Sequence, residues 1–495
     1  MNLADERPRE LDDASLTVGE RASLRCRAAA GLIREGQFEA ACEALGGLWR
    51  GIGERPNVEG LDEDTTAEVL LQVGALSGWL GASRQLTGAQ DAAKDLLSES
   101  ATLFERLGEP EKAAFARSDL AMCYWREGAY DEARVLLARA ADELAGADAE
   151  RRAIVQLRWA TVECSAGKLH DALGLLKDSE QVLGGSGNHA LLGSLHNMYA
   201  VTLRRLGATE ADGDYYDRAI IEYTAAVFHY EQSGHERNAA LIGNNLAFLL
   251  YKLGRYADAH EHLARAQSIF TRLKDEGYLA EVNETRALVF LDEGKYREAG
   301  RAIAAAVWAL DQGGEAVRLA EALTVQGVVW ARLGNCESST EVLRHAVGVA
   351  EAAGALNIAA AAALTLIEEH GGRRAVTGEE LYDLYRRADG LLKGTQDAEV
   401  LARLRDCARV VMKRLAGTRL GDGGFSLFDA VQELESSLIA QALEEAGGSV
   451  TRAARLLGMH HQTLTSMLQT RHKRLESKRT PPEKRLRSII KMERE

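Results

Sequence analysis

One spacing restricts this chain more than any other feature. Laying YWREGAYDEARVLLARA (124–140) over LYKLGRYADAHEHLARA (250–266) and FLDEGKYREAGRAIAAA (290–306) returns the same residue types in the same order. The aligned glycines are Gly128, Gly167, Gly207, Gly254, Gly294 and Gly334, separated by 39, 40, 47, 40 and 40 residues. The long step contains an insertion, ATEADGD, directly after Gly207. Two residues after the glycine stands Tyr130, Leu169, Tyr256, Tyr296 or Cys336; five after it, Ala133, Ala172, Ala259, Ala299 or Ser339; twelve after it, Ala140, Ser179, Ala266, Ala306 or Ala346. In the unit with the insertion, Tyr216, Ala219 and Tyr223 restore the pattern. Glycine permits a tight turn between antiparallel helices, and small residues let the two backbones approach. One such pair cannot bury its apolar face alone, so the units must stack.

Proline agrees with a helical body. The five prolines are Pro8, Pro56, Pro110, Pro481 and Pro482, which leaves Glu111 to Thr480 free of the strongest helix breaker. With 46% hydrophobic and 27% charged residues in a chain of 495, disordered and collagen-like classes are excluded. The six cysteines, Cys26, Cys42, Cys123, Cys164, Cys336 and Cys407, include no C-x-x-C pair and read as small core residues in a reducing compartment. The polar, acidic start MNLADERPRELDD does not resemble a secretory signal, and the most apolar stretch, Ala355 to Ile367, is too short to span a bilayer. The expected location is the cytoplasm, with no membrane partner.

From Ala22 and Gly36 (REGQFEA) through Ala67 and onward to about residue 370, the pattern resembles the tetratricopeptide repeat (TPR) family, whose helix pairs carry G-x-Y-x-x-A at the turn. It departs from that family in its period, near forty here against about 34, and in lacking the proline that ends each unit. Longer helices, as in the extended repeats of bacterial regulators, fit both departures. The resemblance implies an all-α, curved right-handed solenoid over residues 21–415, capped by helices from Gly378 to Leu415, after a disordered tail at 1–20. It further implies that the first helix of each pair lines a concave groove. Ten residues before each turn glycine this gives the column Ser118, Leu157, Asn197, Asn244, Glu284 and Thr324; nearer the turn lie Trp125, Arg126, Arg204, Arg205, Tyr251 and Lys252. Stacked asparagines with nearby cations suit the backbone or carboxylate of an extended peptide or protein segment, or else simply bond neighbouring helices.

After Lys413 four glycines within eight residues, Gly417, Gly421, Gly423 and Gly424, mark a linker at 416–426. Leu427, Val431, Leu434, Leu438, Ile439 and Leu443 then fall at helical spacing before Gly447 and Gly448. The following SVTRAARLLGMHHQTLTSMLQTRHKRL (449–475) has the spacing of a helix-turn-helix: Ser449 to cap, small Ala453 and Ala454 at the helix crossing, Gly458 in the turn, and a second helix over about His461 to His472. Residues 427–475 resemble the Fis-type DNA-binding domain, whose GG-then-AAxxLGxxxxTLxxxL pattern is met by GGSVTRAARLLGMHHQTLTSML. The resemblance implies a homodimer on double-stranded DNA, with Leu434, Leu438 and Leu443 at the interface. It assigns His460, His461, Gln462, Thr463, Thr465 and Ser466 to bases or nearby phosphates. The recognition helix departs from the family in carrying His, Thr and Ser where Arg or Lys is usual.

Charge supports the same end of the chain. Residues 447–495 hold twelve Lys or Arg against four Glu, a net of +8 in a chain of net −14, which leaves −22 on residues 1–446. Arg471, Lys473, Arg474, Lys478, Arg479, Lys484, Arg485 and Arg487 can neutralise phosphates from the end of the motif and the basic tail, 476–495.

No catalytic constellation is found: the chain lacks G-x-x-x-x-G-K-[ST], H-E-x-x-H, G-x-S-x-G and a strand-borne G-x-G-x-x-G, so no enzyme, cofactor or metal is expected. His260 with His262, and His229 near His235, read as helix-surface residues rather than metal ligands. Three functions fit: a one-component transcriptional regulator whose solenoid senses a peptide, protein or other ligand; an adaptor whose C-terminal helices only dimerise; or a weakly specific nucleoid-like DNA-binding protein.

Overall fold

The computed structural model describes residues 16–34, 36–83, 86, 88–147, 149–372, 376–393, 398–419 and 427–478. The tail over 1–15 and the basic end from Arg479 onward lie outside them. Among the described residues there are twenty-two α-helices and no strand. The first pair is α1 (Val18–Arg34) and α2 (Phe38–Leu45), the second α3 (Glu63–Ser83) and α4 (Ala89–Arg106). There follow α5 (Pro110–Arg126) with α6 (Tyr130–Glu143), α7 (Ala149–Ser165) with α8 (Leu169–Leu183), and α9 (His189–Glu210) with α10 (Gly213–Gln232). Next are α11 (Glu236–Lys252) with α12 (Tyr256–Leu273), α13 (Glu276–Asp292) with α14 (Tyr296–Gly313), α15 (Ala316–Arg332) with α16 (Cys336–Ala352), and then α17 (Leu356–His370). From α1 to α15 each odd-numbered A helix packs on the B helix that follows it, and from α4 to α14 each B helix packs on the next A helix; most successive A helices from α3 to α15 also touch one another.

The turns explain the period. Gly234, Gly254, Gly294, Gly314, Gly334 and Gly354 all have φ between 71° and 83°, and Lys274 takes the same left-handed conformation (φ 55°) in the slot between Gly254 and Gly294. A helix therefore ends every twenty residues from 234 to 354, at the turns between units as well as within them. Each helix of 17 or 18 residues spans about 26 Å, and two of them with their turns make the forty-residue unit. The turn after α5 shows the closure: Gly128 N–H donates to the Trp125 carbonyl and Ala129 N–H to that of Tyr124, both at 3.0 Å, which satisfies the last helical carbonyls.

Gly207 departs from its expected place. It lies inside α9, which runs on to Glu210, and the chain turns instead at Ala211 (φ 54°), with the Asp212 carboxylate accepting from Asp214 N–H to start α10. Gly207 is needed for another reason: a Cβ there would stand 2.8 Å from the Tyr216 ring. The insertion is absorbed by lengthening both helices, to 22 and 20 residues.

The small-residue columns form the seam of the solenoid. Ala133, Ala172, Ala259, Ala299 and Ser339 are fully buried, as are Ala140, Ser179, Ala306 and Ala346, with Ala266 nearly so. Larger side chains, including Phe104, Tyr223 and Phe270, fill the space between pairs. Four cysteines are buried and Cys42 and Cys336 half-buried, all as free thiols.

Polar ties cross between units. Arg134 on α6 makes a two-pronged bond to Glu163 on α7 (Nε–Oε1 2.5 Å, Nη2–Oε2 3.0 Å), and Trp159 Nε1–H donates to the same carboxylate at 2.9 Å. Lys94 holds Glu127, and His260 holds Glu293, in the same way from a B helix to the end of the next A helix. His229 is drawn not to His235 but to His189 (Nδ1–Nδ1 2.8 Å) and stacks on His196. Among the described residues no group of His, Cys, Asp and Glu is arranged to hold a metal ion, and no helix is long and apolar enough to cross a membrane.

The chain separates into two compact bodies, one ending at Ala362 and the other beginning at Ala363, so the division falls within α17 rather than at the glycine-rich stretch 416–426. In the second body α18 (Gly378–Leu391) and α19 (Ala398–Arg419) pack together, and α19 continues four residues into that stretch. Then come α20 (Leu427–Glu445), α21 (Val450–Leu456), α22 (His461–Gln469) and a 3-10 helix (Lys473–Lys478).

Candidate functional site

The C-terminal helices are built around ten buried apolar residues. Ile439, Ala442, Leu443 and Ala446 come from α20, Ala453 and Ala454 from α21, Leu464, Met467 and Leu468 from α22, and Leu475 from the 3-10 turn. Gly448 N–H closes α20 onto the Leu443 carbonyl at 2.7 Å. Gly458 (φ 64°) makes the turn into α22, where Met459 N–H reaches the Ala454 carbonyl at 2.9 Å. Ser449 occupies the N-cap of α21 without a side-chain bond, whereas the His460 ring caps α22 by accepting from Gln462 N–H. The second helix stops at Gln469, three residues before its expected end. His472 is instead buried against α20, with Nε2 3.2 Å from the Glu435 carboxylate, and that inward turn ends the helix.

This core leaves one face of α22 outward. His460, His461, Gln462, Thr463 and Ser466 are exposed, while Thr465 is half-buried and donates its hydroxyl proton to the His461 carbonyl at 2.8 Å. Arg471, Lys473 and Arg474 are exposed at the end of the motif, with Arg471 3.4 Å from Glu435. Lys478 closes the 3-10 helix, its side chain outside the description, as is Arg479 altogether. Two further exposed cations, Arg452 and Arg455 on α21, were not singled out by the motif, although their place in its first helix is visible in the sequence.

The three leucines assigned to a dimer interface separate. Leu443 is fully buried in the core of its own domain, which removes it from any interface. The α20 face that points inward is Ile439–Ala442–Leu443–Ala446, at helical spacing, and Leu438 lies off it, 48% exposed. The side chain of Leu434 lies outside the described residues.

The groove residues fall into two sets. Asn244 is buried and its Nδ2 donates to Glu281 Oε1 on α13 (3.2 Å). Trp125 donates to Ser165 on α7 (2.7 Å), Arg205 to the Cys164 carbonyl (2.6 Å), and Tyr251 is buried, its phenol pushed up to about 12 by burial and by Asp292. These four tie A helices to their neighbours or to themselves. Arg126, Asn197 and Arg204 are half-buried and Lys252 is exposed, its ammonium over the Tyr251 and Phe248 rings. The Oδ1 atoms of both Asn197 and Asn244 are buried and accept no hydrogen bond from the described residues.

Glu284, in the same column, has its carboxyl pushed up to about 7 by burial and by the carboxylates of Glu321 and Glu281. The folded state thus keeps a proton that the unfolded chain releases near 4.5. Stability from this group is present below about 4.5 and is lost as pH rises to about 7. Glu284→Gln, which cannot ionise, should raise the melting temperature at pH 8 by a few degrees and leave it unchanged at pH 4.5; equal shifts at both would contradict this.

The sequence profile described as bacterial regulatory protein, Fis family, matches residues 430–469. This segment is a Fis-family helix-turn-helix. The solenoid is TPR-like: the chain overlays on the Signal Transduction ATPase with Numerous Domains protein with a tetratricopeptide repeat sensor from Pyrococcus horikoshii, with a TM-score of 0.50, 13% identity, 79% of this chain and 66% of that one. Similarity extends at lower scores to the apo form of the quorum sensor NprR from B. thuringiensis (TM-score 0.47, 15% identity, 70% and 92% of the two chains). It extends likewise to a Rap protein complexed with Competence and Sporulation Factor (0.48, 15%, 80% and 99%). At these identities the overlays describe the fold alone. No curated protein sequence matches the chain. The Fis-type domain thus follows a TPR-like solenoid in one all-α chain.

Proposed function

We propose that the protein is a DNA-binding transcriptional regulator in which the Fis-type domain binds duplex DNA as a homodimer and the solenoid groove takes a peptide or protein segment. The observation that carries the reading is a Fis-family helix-turn-helix whose second helix presents His461, Gln462, Thr463 and Ser466 to solvent, next to Arg471, Lys473 and Arg474. Gln and Thr side chains can read base edges in the major groove, and the flanking cations supply the charge-dependent attraction to phosphate. Electrophoretic selection of bound duplexes from a random library tests it: one recovered motif is the expected outcome, and recovery without a motif would reduce the domain to backbone binding. The absence of Arg and Lys from α22 favours a nucleoid-like reading in that event.

Dimerisation is assigned to the outward side of α20. Leu438→Glu should convert a dimer to a monomer in light scattering while keeping the domain folded, because this side chain is not part of the domain core. Leu443→Ala should instead destabilise the domain by about 2–5 kcal/mol. A Leu438→Glu protein that stays dimeric would move the interface elsewhere. A ligand would act by favouring one arrangement of the solenoid, and through it one geometry of the paired DNA-binding domains.

The groove reading is supported by the two buried asparagine carbonyls on A helices that accept no hydrogen bond from the described residues, acceptors of the kind that the N–H groups of an extended backbone use. Isothermal titration of the full-length protein with pools of short peptides tests it directly, binding of no pool being the contrary result.

A further inference from the structure

The A helices α13 and α15 bring an excess of carboxylates to one stretch of the groove, beside Asn244 of α11. Glu281 and Glu284 lie on α13, and Glu315 and Glu321 at the start of α15 and one turn into it. Arg318, the cation among them, is already held: its guanidinium donates to Glu281 (2.9 Å), to Glu315 (2.8 Å) and to the Gly277 carbonyl (3.0 Å). Glu284 and Glu321 form no ion pair and no hydrogen bond among the described residues. Carboxylates brought together on facing helices without a matching cation repel one another, and a bound cation removes that repulsion.

Glu321 is exposed and Glu284 half-buried, and two features beside them point to a ligand. Asn244 is 3% exposed, its amide is turned into the cluster and donates to Glu281, and the carbonyl oxygen of that amide accepts nothing. A buried carbonyl without a donor costs free energy unless something supplies one. On the same two helices a cleft of about 210 Å³ is walled by Leu288, Leu291, Val325 and Val328, with Thr324 beside them and Asp292 and Arg332 at the end away from Glu284 and Glu321 in sequence. Leu288 is one helical turn from Glu284, and Val325 one turn from Glu321, so the cleft and the carboxylates share one face of each helix.

We propose that this stretch of the groove selects a peptide carrying a cationic side chain next to an aliphatic one, the cation lying between Glu284 and Glu321 and the aliphatic group in the Leu288–Val325–Val328 cleft. The inference rests on the peptide reading above and adds its specificity. Asn244 Oδ1 supplies an acceptor for the ligand's backbone N–H, and charge complementarity sets the preference for Arg or Lys.

The test uses the full-length protein and two fluorescein-labelled hexapeptide pools, randomised except for a central Arg-Leu in one and citrulline-Leu in the other. Citrulline keeps the shape and removes the charge. Fluorescence anisotropy should show the Arg pool binding about tenfold more tightly or better, which corresponds to about 1.4 kcal/mol. The combined substitution Glu284→Gln and Glu321→Gln should bring the Arg pool to the level of the citrulline pool, with unchanged helical circular dichroism of the full-length protein as the control for folding. Equal binding of both pools to the unaltered protein would overturn the charge preference and leave peptide binding standing. Binding of neither pool would overturn the peptide reading itself, and this inference with it.

Discussion

Replacing Arg471, Lys473 and Arg474 together by glutamine should weaken DNA binding on the order of 10²–10³-fold at about 0.1 M salt, whatever the sequence of the duplex. Each phosphate contact releases close to one counterion, so the slope of log affinity against log salt should also fall by about 3. All three side chains are exposed at the end of the motif and outside the core that holds it, so the fold should be retained. The effect of the recognition helix should differ in kind. Alanine at His461 or Thr463 should cost about 1–3 kcal/mol on the preferred duplex, little on a random one, and leave the salt slope unchanged. Anisotropy titrations at several salt concentrations separate the two. A triple variant that binds as before would remove these cations from the interface, and equal losses on both duplexes for His461→Ala would mean that α22 reads no base.

The second large effect is in the solenoid. Glu163 is 3% exposed and receives a two-pronged bond from Arg134 as well as the Trp159 N–H. Glu163→Ala removes three hydrogen bonds and leaves the Arg134 guanidinium with only the exposed Asp131 carboxylate as a partner. Breaking a fully buried pair by removing one partner costs about 3–5 kcal/mol; Arg134 is 20% exposed and keeps Asp131, so the loss should be about 2 kcal/mol, mostly from the lost hydrogen bonds. Replacing both residues by methionine should cost much less, since a desolvated pair exchanged for apolar groups of similar size is often close to neutral. Denaturant unfolding followed by circular dichroism measures both. If the double variant is as unstable as Glu163→Ala, the loss comes from packing rather than from an abandoned charge. Because adjacent units supply each other's buried surface, the damage should spread to neighbouring helices rather than stay within one pair.

How much of this was readable from the sequence depends on the range of the interaction. The forty-residue period, the small-residue columns and the turn glycines are local signals repeated several times, and Ala133, Ala259 and Ala299 lie where the pattern puts them. Gly207 misled because its neighbours match the turn while the helix runs on past it; only the approach of Tyr216 from the next helix reveals its use. The twenty-residue spacing was masked by Lys274, a non-glycine residue in a left-handed turn. In the Fis-type domain, Leu438 and Leu443 belong to one apolar run, and a helix alone does not say which side faces its own core. His472 reads in the sequence as the end of the second helix, because its partner, Glu435, is 37 residues away on another helix. The acidic groove was least legible. Glu281, Glu284 and Glu321 each resemble ordinary surface residues, and only the stacking of A helices puts them side by side.

The central claim is that a folded, dimeric chain reads DNA sequence through α22. The most direct measurement is fluorescence anisotropy of the full-length protein on duplexes from the region upstream of its own coding sequence and on scrambled duplexes of the same composition, at about 50 and 200 mM salt. The account predicts tighter binding to the upstream duplexes at both concentrations, with affinity for each falling by orders of magnitude as salt rises. Indistinguishable affinities for the two duplexes, or no binding by a folded dimer, would contradict it.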